Sequence, residues 1–363
     1  MRPSTLQLPA VPQSWYRVGA SRALRHGRVI SWTLGARAMV VYRTADGRVV
    51  AMDARCPHLG AHLGRGTVRG DDLQCALHHW CCDPRGDCRP PSGSGRLSQP
   101  VYAATERYGS IFVFAGAEPR FDVPNLGDDR LDARPPRVLA ARPVLVEASW
   151  AALAMNAFDI AHMDAIHHRV LREEPVMRLI GGDCLELKYM SRITGSGVSD
   201  RVMRWLSNDR VTATIECWGG TMIVVRSRVG TLESRLLLCL TPIGRHVTVV
   251  PIVARPRGGS PIVEALALRI GRWLFTSFLK RDVVPLAGMD LRIERAMGLH
   301  GPAGWAARWL VTLPAFEESD NRPRSNVQTV TRVDVATKYD TSARGRASHA
   351  NGASRRSGER ESV

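Results

Sequence analysis

Cys56-Pro57-His58 is followed, after sixteen residues, by Cys75-Ala76-Leu77-His78. Each short segment brings one thiol and one imidazole into the same loop. The chain leading to the first segment reads as a hairpin. Arg28 to Thr33 and Ala36 to Tyr42 are β-branched and aromatic, Asp46-Gly47 is a turn signal, and Val49 to Met52 returns the chain to Cys56. Beyond the second segment come a turn at Asp83-Pro84-Arg85-Gly86, a loop over Pro90 to Gly95 and a closing strand, Tyr108 to Ala115. Residues 12–118 therefore read as a small all-β unit with two ligand loops at one end.

Two thiolates and two imidazoles match a Rieske [2Fe–2S] cluster, in which one iron takes two Cys and the other two His. Cys56, His58, Cys75 and His78 supply that set. Cys2His2 is also a zinc set, but CxH with CxxH is not the usual finger spacing. The neighbouring His62 and His79 are expected to pack or hydrogen-bond, and Cys81 and Cys82 to be structural. The other thiols (Cys88, Cys184, Cys217 and Cys239) are read as free. A disulfide framework is not expected in a chain of this length without a secretion segment.

A second set of ligand-type side chains lies in Met155-Asn156-Ala157-Phe158-Asp159-Ile160-Ala161-His162, which leads to His167-His168. On a helix Asp159 and His162 share a face. His167 can meet the same ion only if the helix bends or unwinds after His162. Two imidazoles with one carboxylate form the triad that holds non-haem Fe(II) and leaves positions open for dioxygen. His168 competes with His167. For the carboxylate, Asp282, Asp290 and Glu294 are downstream candidates and Asp320 is remote. Asp282 follows Lys280-Arg281 and reads as part of a solvated charge cluster, and Asp290 as lying on a helix that enters after Pro285.

The 363 residues, 44% of them hydrophobic, suffice for two domains. Residues 119–137, rich in Pro, Asp and Arg, read as a linker, and 138–316 as a second domain. It is expected to contain a helix around 150–170. Strands follow near 186–193, 211–216, 221–228, 232–240 and 246–254, then a long helical stretch over 261–299 broken at Pro285. Strands followed by helix imply α+β, a sheet with helices on one face. Residues 318–363 are polar and read as disordered, apart from a short extended piece at 327–335. The net charge is +16, yet only three of the 50 basic residues are Lys and the Arg are dispersed. No nucleic-acid motif accompanies them, and a basic face suits an acidic electron donor. With no apolar leader and no 18-residue apolar run, a cytoplasmic chain without a spanning helix is expected.

CPHLGAHLG at 56–64, CALHHW at 75–80 and NAFDIAHMDAIH at 156–167 together resemble the oxygenase component (α-subunit) of the Rieske non-haem iron oxygenases. The resemblance spans about 15–310. It is nearest to the aminopyrrolnitrin oxygenase and steroid hydroxylase/sterol desaturase types; Thr241-Pro242 also resembles the family. It implies a helix-grip-like (START-type) catalytic domain with an antiparallel sheet and a long C-terminal helix. It also implies one [2Fe–2S] cluster and one Fe(II) per chain, with O2 as co-substrate. NAD(P)H electrons would arrive through a ferredoxin or flavin reductase, since the chain has no nucleotide fingerprint of its own. By the match to Ala287-Gly288-Met289-Asp290-Leu291-Arg292-Ile293, Asp290 becomes the third iron ligand beside His162 and His167. Asp159 would bridge subunits of a head-to-tail homotrimer, between His78 of one chain and His162 of its neighbour, and Asn156 would stand behind the iron. Two positions depart from the family: Ala76 stands where Pro is usual, and Met155 where Glu is frequent. Neither removes a ligand. The implied reaction is monooxygenation of a small apolar aromatic or polycyclic metabolite, by C-hydroxylation or arylamine N-oxygenation. Desaturation and oxidative cyclisation share its ligand set. A Rieske electron-transfer protein is the alternative of a different class. Met203, Trp205, Trp218, Met222 and Val224 are candidate pocket walls.

Overall fold

Among the described residues four antiparallel sheets carry the fold, and the ligand loops hang from two of them. The computed structural model describes residues 7–127, 135–207, 210–229, 232–255 and 260–316. The expected extended piece at 327–335, the tail 318–363 and Asp320 lie outside the described residues, as does part of the linker.

In the N-terminal part, Val29–Leu34, Arg37–Arg43, Val49–Asp53 and Val101–Tyr102 form one sheet. A second joins Trp15–Ala20 and Ala104–Arg107 on either side of Ser110–Phe114. A five-stranded meander runs from Thr67–Arg69 to Leu97–Ser98. Its strands are two or three residues long, too short to show the alternation by which strands are read from sequence. One hairpin in it sets Cys82 directly opposite Cys88. The two are joined in a disulfide, which corrects the reading of Cys88 as a free thiol and gives Cys82 its structural role. Cross-strand register, which sequence spacing does not reveal, brings their Cα atoms to 3.9 Å.

The second half is built on a nine-stranded sheet. Its central strands Cys184–Ile193, Val211–Trp218, Met222–Val229, Leu232–Ile243 and His246–Arg255 pair in sequence order, as expected of successive hairpins. The helix expected around 150–170 is two short ones, α1 (Trp150–Asn156) and α2 (Ile160–Ala165). Further on, α3 (Val198–Ser207) was not read from the sequence, and neither was the terminal α6 (Gly301–Leu310). Between them, α4 (Pro261–Leu286) runs straight through Pro285 and stops one residue later, and α5 is Ile293–Met297. Pro285 thus sits in the last turn rather than dividing a longer helix, so residues 287–292 are irregular, which decides where the acidic candidates fall.

Alternation along Met222–Val229 separates two cores. Ile223 and Val225 face α1 and α4, whereas Met222 and Val224 face Trp15, Phe112 and Phe114 of the N-terminal part. The sheet is therefore buried on both faces, and the N-terminal part shares one of its cores.

The turn after Trp218 is tight. Gly220 has φ +77°, and a Cβ there would stand 2.6 Å from the Trp150 ring and 2.7 Å from Leu313. Gly244 has φ +59° with open space around it. Gly220→Ala is expected to lower unfolding free energy by about 3 kcal/mol, combining left-handed strain with overpacking. Gly244→Ala, with strain alone, should cost about 1 kcal/mol. Denaturant midpoints of the two variants would check the difference.

Candidate iron sites

The two cysteine loops are built alike. In the first, Cys56 N–H donates to Ala61 O (2.8 Å) and Gly60 N–H to Cys56 O (2.8 Å). In the second, Cys75 N–H donates to Trp80 O (2.8 Å) and His79 N–H to Cys75 O (3.1 Å). Four residues after each Cys the backbone turns left-handed, at Gly60 (φ 75°) and at His79 (φ 57°). His79 therefore occupies the position that glycine fills in the other loop, which explains the doubled histidine without making it a ligand. His62 caps the short turn after the first loop, its Nδ1 accepting from Gly64 N–H at 3.0 Å.

Cys56 and Cys75 are buried and His78 is exposed. The His58 and His78 rings lie 5.0 Å apart, and His58 stacks on Trp80 at 4.8 Å. His58 Nδ1 is buried and has no hydrogen-bond partner among the described residues. Burial pushes the Cys56 thiol up, and Cys75 adds to this, while the backbone N–H groups of His58 and Leu59 at its sulfur pull it back. No three of the four donors meet within the reach of one ion, which the second site does achieve. A single zinc ion therefore does not fit here. A larger group with thiolates on its buried side and imidazoles on its outer side does.

At the second site the chain breaks where the metal geometry requires it. Asp159 caps α2, its carboxylate accepting from His162 N–H at 3.1 Å. α2 ends at Ala165, and His167 falls in the following turn. There it is buried and stacked on Phe278 of α4 at 3.9 Å with ring planes 3° apart. His168 turns left-handed (φ 53°) and is exposed; its carbonyl accepts from Thr194. Of the paired histidines, His167 is the one in the site.

The carboxylate beside the histidines is Asp282. Its Oδ1 lies 2.7 Å from His162 Nε2 and 2.7 Å from His167 Nε2, and the two imidazole nitrogens are 3.2 Å apart. Asn156 Nδ2 donates to the same oxygen at 3.2 Å. The expectation for Asp290 is corrected. Its side chain is 72% exposed, is paired with Arg292 at 2.9 Å, and lies in the irregular stretch beyond α4. The cause is the uninterrupted helix: α4 carries Asp282 one turn beyond Phe278, so both point at His167. Arg281, read as a partner in a solvated cluster, instead turns to buried Asp200 at 3.0 Å. The sequence signal for Asp282 is this Phe-x-x-x-Asp spacing on an apolar helix.

Burial alone would raise the Asp282 carboxyl, but the hydrogen bonds from His162 and His167 outweigh it and hold it below the usual carboxylate range. Burial lowers His167, opposed by Asp282. A carboxylate with a neutral imidazole is the state in which these groups bind a divalent metal. The three ligand atoms all lie within 4.8 Å of one another, so one cation fits among them.

A cavity of about 300 Å³ opens from His167 and Asp282 between the sheet and α4. Its walls are mainly apolar and include Ile215, Ile223, Val225, Leu236, Phe275 and Phe278. Of the expected wall residues, Met203 lines it. Met222 and Val224 face the other core, Trp218 packs on Phe121, and Trp205 is exposed. For Met222 and Val224 the mismatch is one of strand parity, which a strand buried on both faces does not declare.

Residues 14–99 match the family model described as the Rieske [2Fe-2S] domain. Aminopyrrolnitrin oxygenase of Pseudomonas fluorescens is 26% identical over 278 residues, covering 68% of this chain and 76% of the relative. The structure of dicamba monooxygenase bound to dicamba superposes with a TM-score of 0.60 at 19% identity, over 84% of this chain and 97% of that one. The chain carries a Rieske [2Fe-2S] domain, and beyond that domain it is similar to Rieske non-haem iron oxygenases. Cholesterol 7-desaturase of Bombyx mori is 32% identical over 170 residues, which is 44% of this chain but only 36% of that relative. The match to the Xenopus laevis desaturase likewise spans 37% of its length. No helix among the described residues is long and apolar enough to cross a membrane.

Two outcomes test the assignments. Asp282→Asn is expected to lose about one iron per chain while sulfide stays constant, and Asp290→Asn to lose none, by metal and sulfide analysis. In the second cluster loop, His79→Gly should keep the cluster's absorbance and raise stability by about 1 kcal/mol through relief of the left-handed strain, whereas His78→Ala should bleach it.

Proposed function

We propose that this α-subunit monooxygenates an apolar aromatic or polycyclic substrate, with O2 and electrons delivered by a separate reductase. The observation that carries the reading is the convergence of His162, His167 and Asp282 at the head of an apolar cavity. A Rieske electron carrier has no use for a second ligand set or for a substrate-sized space beside it. The relatives carry names that include a desaturase and oxygenases. Desaturation and cyclisation would use the same three ligands.

Cys56, His58, Cys75 and His78 would hold the [2Fe–2S] cluster, and His162, His167 and Asp282 the Fe(II). Bound there, the cluster supplies single electrons and the mononuclear iron activates dioxygen. The chain's own residues do the rest. Asn156 donates to Asp282 Oδ1 and fixes the carboxylate's orientation. Phe278 holds the His167 ring in plane from one side. The apolar walls exclude bulk water from the iron end and admit a ring-sized substrate. No acid–base group of the protein is required, since the difficult chemistry belongs to the cofactor.

Asp159 is proposed as the link between subunits. Its carboxylate already caps α2 through His162 N–H, so one side chain orders the backbone of an iron ligand and has a second oxygen for another donor. His78 is exposed, as a group meeting a neighbouring copy must be. A head-to-tail homotrimer would let each cluster serve the iron of the next chain. The donor is proposed to be a ferredoxin or flavin reductase, and the compartment the cytoplasm.

Iron and acid-labile sulfide in anaerobically purified protein test the reading. About three iron and two sulfide per chain are expected, with a Rieske-type EPR signal after dithionite. Two iron to two sulfide, unchanged by added Fe(II), would mean electron transfer without oxygenation. Asn156→Ala should weaken retention of the third iron by about 10–100-fold in a chelator competition, with the cluster untouched.

A further inference from the structure

Ser191 is a buried polar group that the iron chemistry leaves unused. It lies on the strand Cys184–Ile193 and lines the cavity. It is fully buried, and its Oγ has no hydrogen-bond partner among the described residues. The strand's ladder places Ser191 opposite Leu171 on one side and Val211 on the other, so neither flanking side chain can accept its proton. A hydroxyl buried in this way costs about 1–3 kcal/mol unless something else supplies the bond. By contrast, Ser227 and Ser234, which also line the cavity, bond each other at 2.8 Å.

Arg169 gives the sign of the missing partner. It lines the same cavity two residues after His167, in register with Ile193 and so one alternation along the ladder from Ser191. Its guanidinium lies 5.5 Å from the Phe278 ring centroid and 3.6 Å from Asp200. Asp200 also pairs with Arg281, so two guanidiniums share one buried carboxylate. A hydroxyl whose proton has no acceptor, on the same face as a guanidinium, suits an acceptor oxygen rather than a second donor.

We infer that Ser191 hydrogen-bonds an acceptor oxygen, a carbonyl or carboxylate, carried by the otherwise apolar substrate. Ser191 is a specificity residue: its bond fixes one end of the ring body and thereby selects the carbon or nitrogen turned toward His167 and Asp282. The assignment rests on the oxygenase reading only in calling the ligand a substrate.

The test is calorimetric binding of three matched probes, ethylnaphthalene, acetylnaphthalene and naphthoic acid, to the full chain loaded with iron under anaerobic conditions. At least one oxygen-bearing probe should bind about tenfold tighter than ethylnaphthalene. Ser191→Ala should erase that preference and leave ethylnaphthalene unchanged, while Ser227→Ala should preserve it. Preference for the ketone would identify a neutral carbonyl, and preference for the acid a carboxylate assisted by Arg169. Equal affinity for all three probes in the unmodified chain, binding of none, or a preference that survives Ser191→Ala would overturn the assignment. The comparison within the unmodified chain stands even if Ser191→Ala folds poorly. Iron analysis of the same samples separates the two readings: a retained preference without the third iron would remove the oxygenase function and leave the Ser191 contact in place.

Discussion

Everything at the mononuclear site depends on one carboxylate oxygen. Asp282 Oδ1 receives His162, His167 and Asn156 at once, and these come from α1, α2 and the turn after α2. An oxygen shared by three elements can be in place only if α4 lies at a fixed height across the sheet. The stacking of Phe278 on His167 sets that height one helical turn before the carboxylate. The end of α2 at Ala165 follows from the same demand, because a continuing helix would carry His167 away from His162. Asp159 fixes the other end of that short helix by capping it.

The cluster site follows a different plan. Two loops with matching backbone closures present a Cys on the inner side and a His on the outer side, and Trp80 covers one imidazole. The duplication lies in hydrogen bonding rather than in sequence. A glycine in one loop and a histidine in the other meet the same left-handed requirement.

The two thiol–imidazole loops, the convergence of His162 with His167 and the five central strands were legible in the sequence because each leaves a local mark. Fixed loop spacing, a histidine pair after a helical Asp and long β-branched runs are all readable over ten or twenty residues. Asp282 was not, since its identity depends on a helix that tolerates Pro285 in its last turn and on Phe278 reaching His167 from over a hundred residues away. The pocket walls failed at Met222 and Val224 because both faces of their strand are apolar, so alternation carries no direction. The Cys82–Cys88 pairing required the register of strands two or three residues long.

The core shared by Trp15, Phe112 and Phe114 with Met222, Val224, Leu237 and Ile252 bears on how the chain is made. During synthesis the N-terminal part leaves the ribosome more than a hundred residues before the last strand that covers this face. Until then its aromatic side chains have no lasting cover, although the sequence for both cluster loops is complete. Cluster insertion and burial of that face are thus separate events in time, and a nascent chain is vulnerable to aggregation in the interval between them.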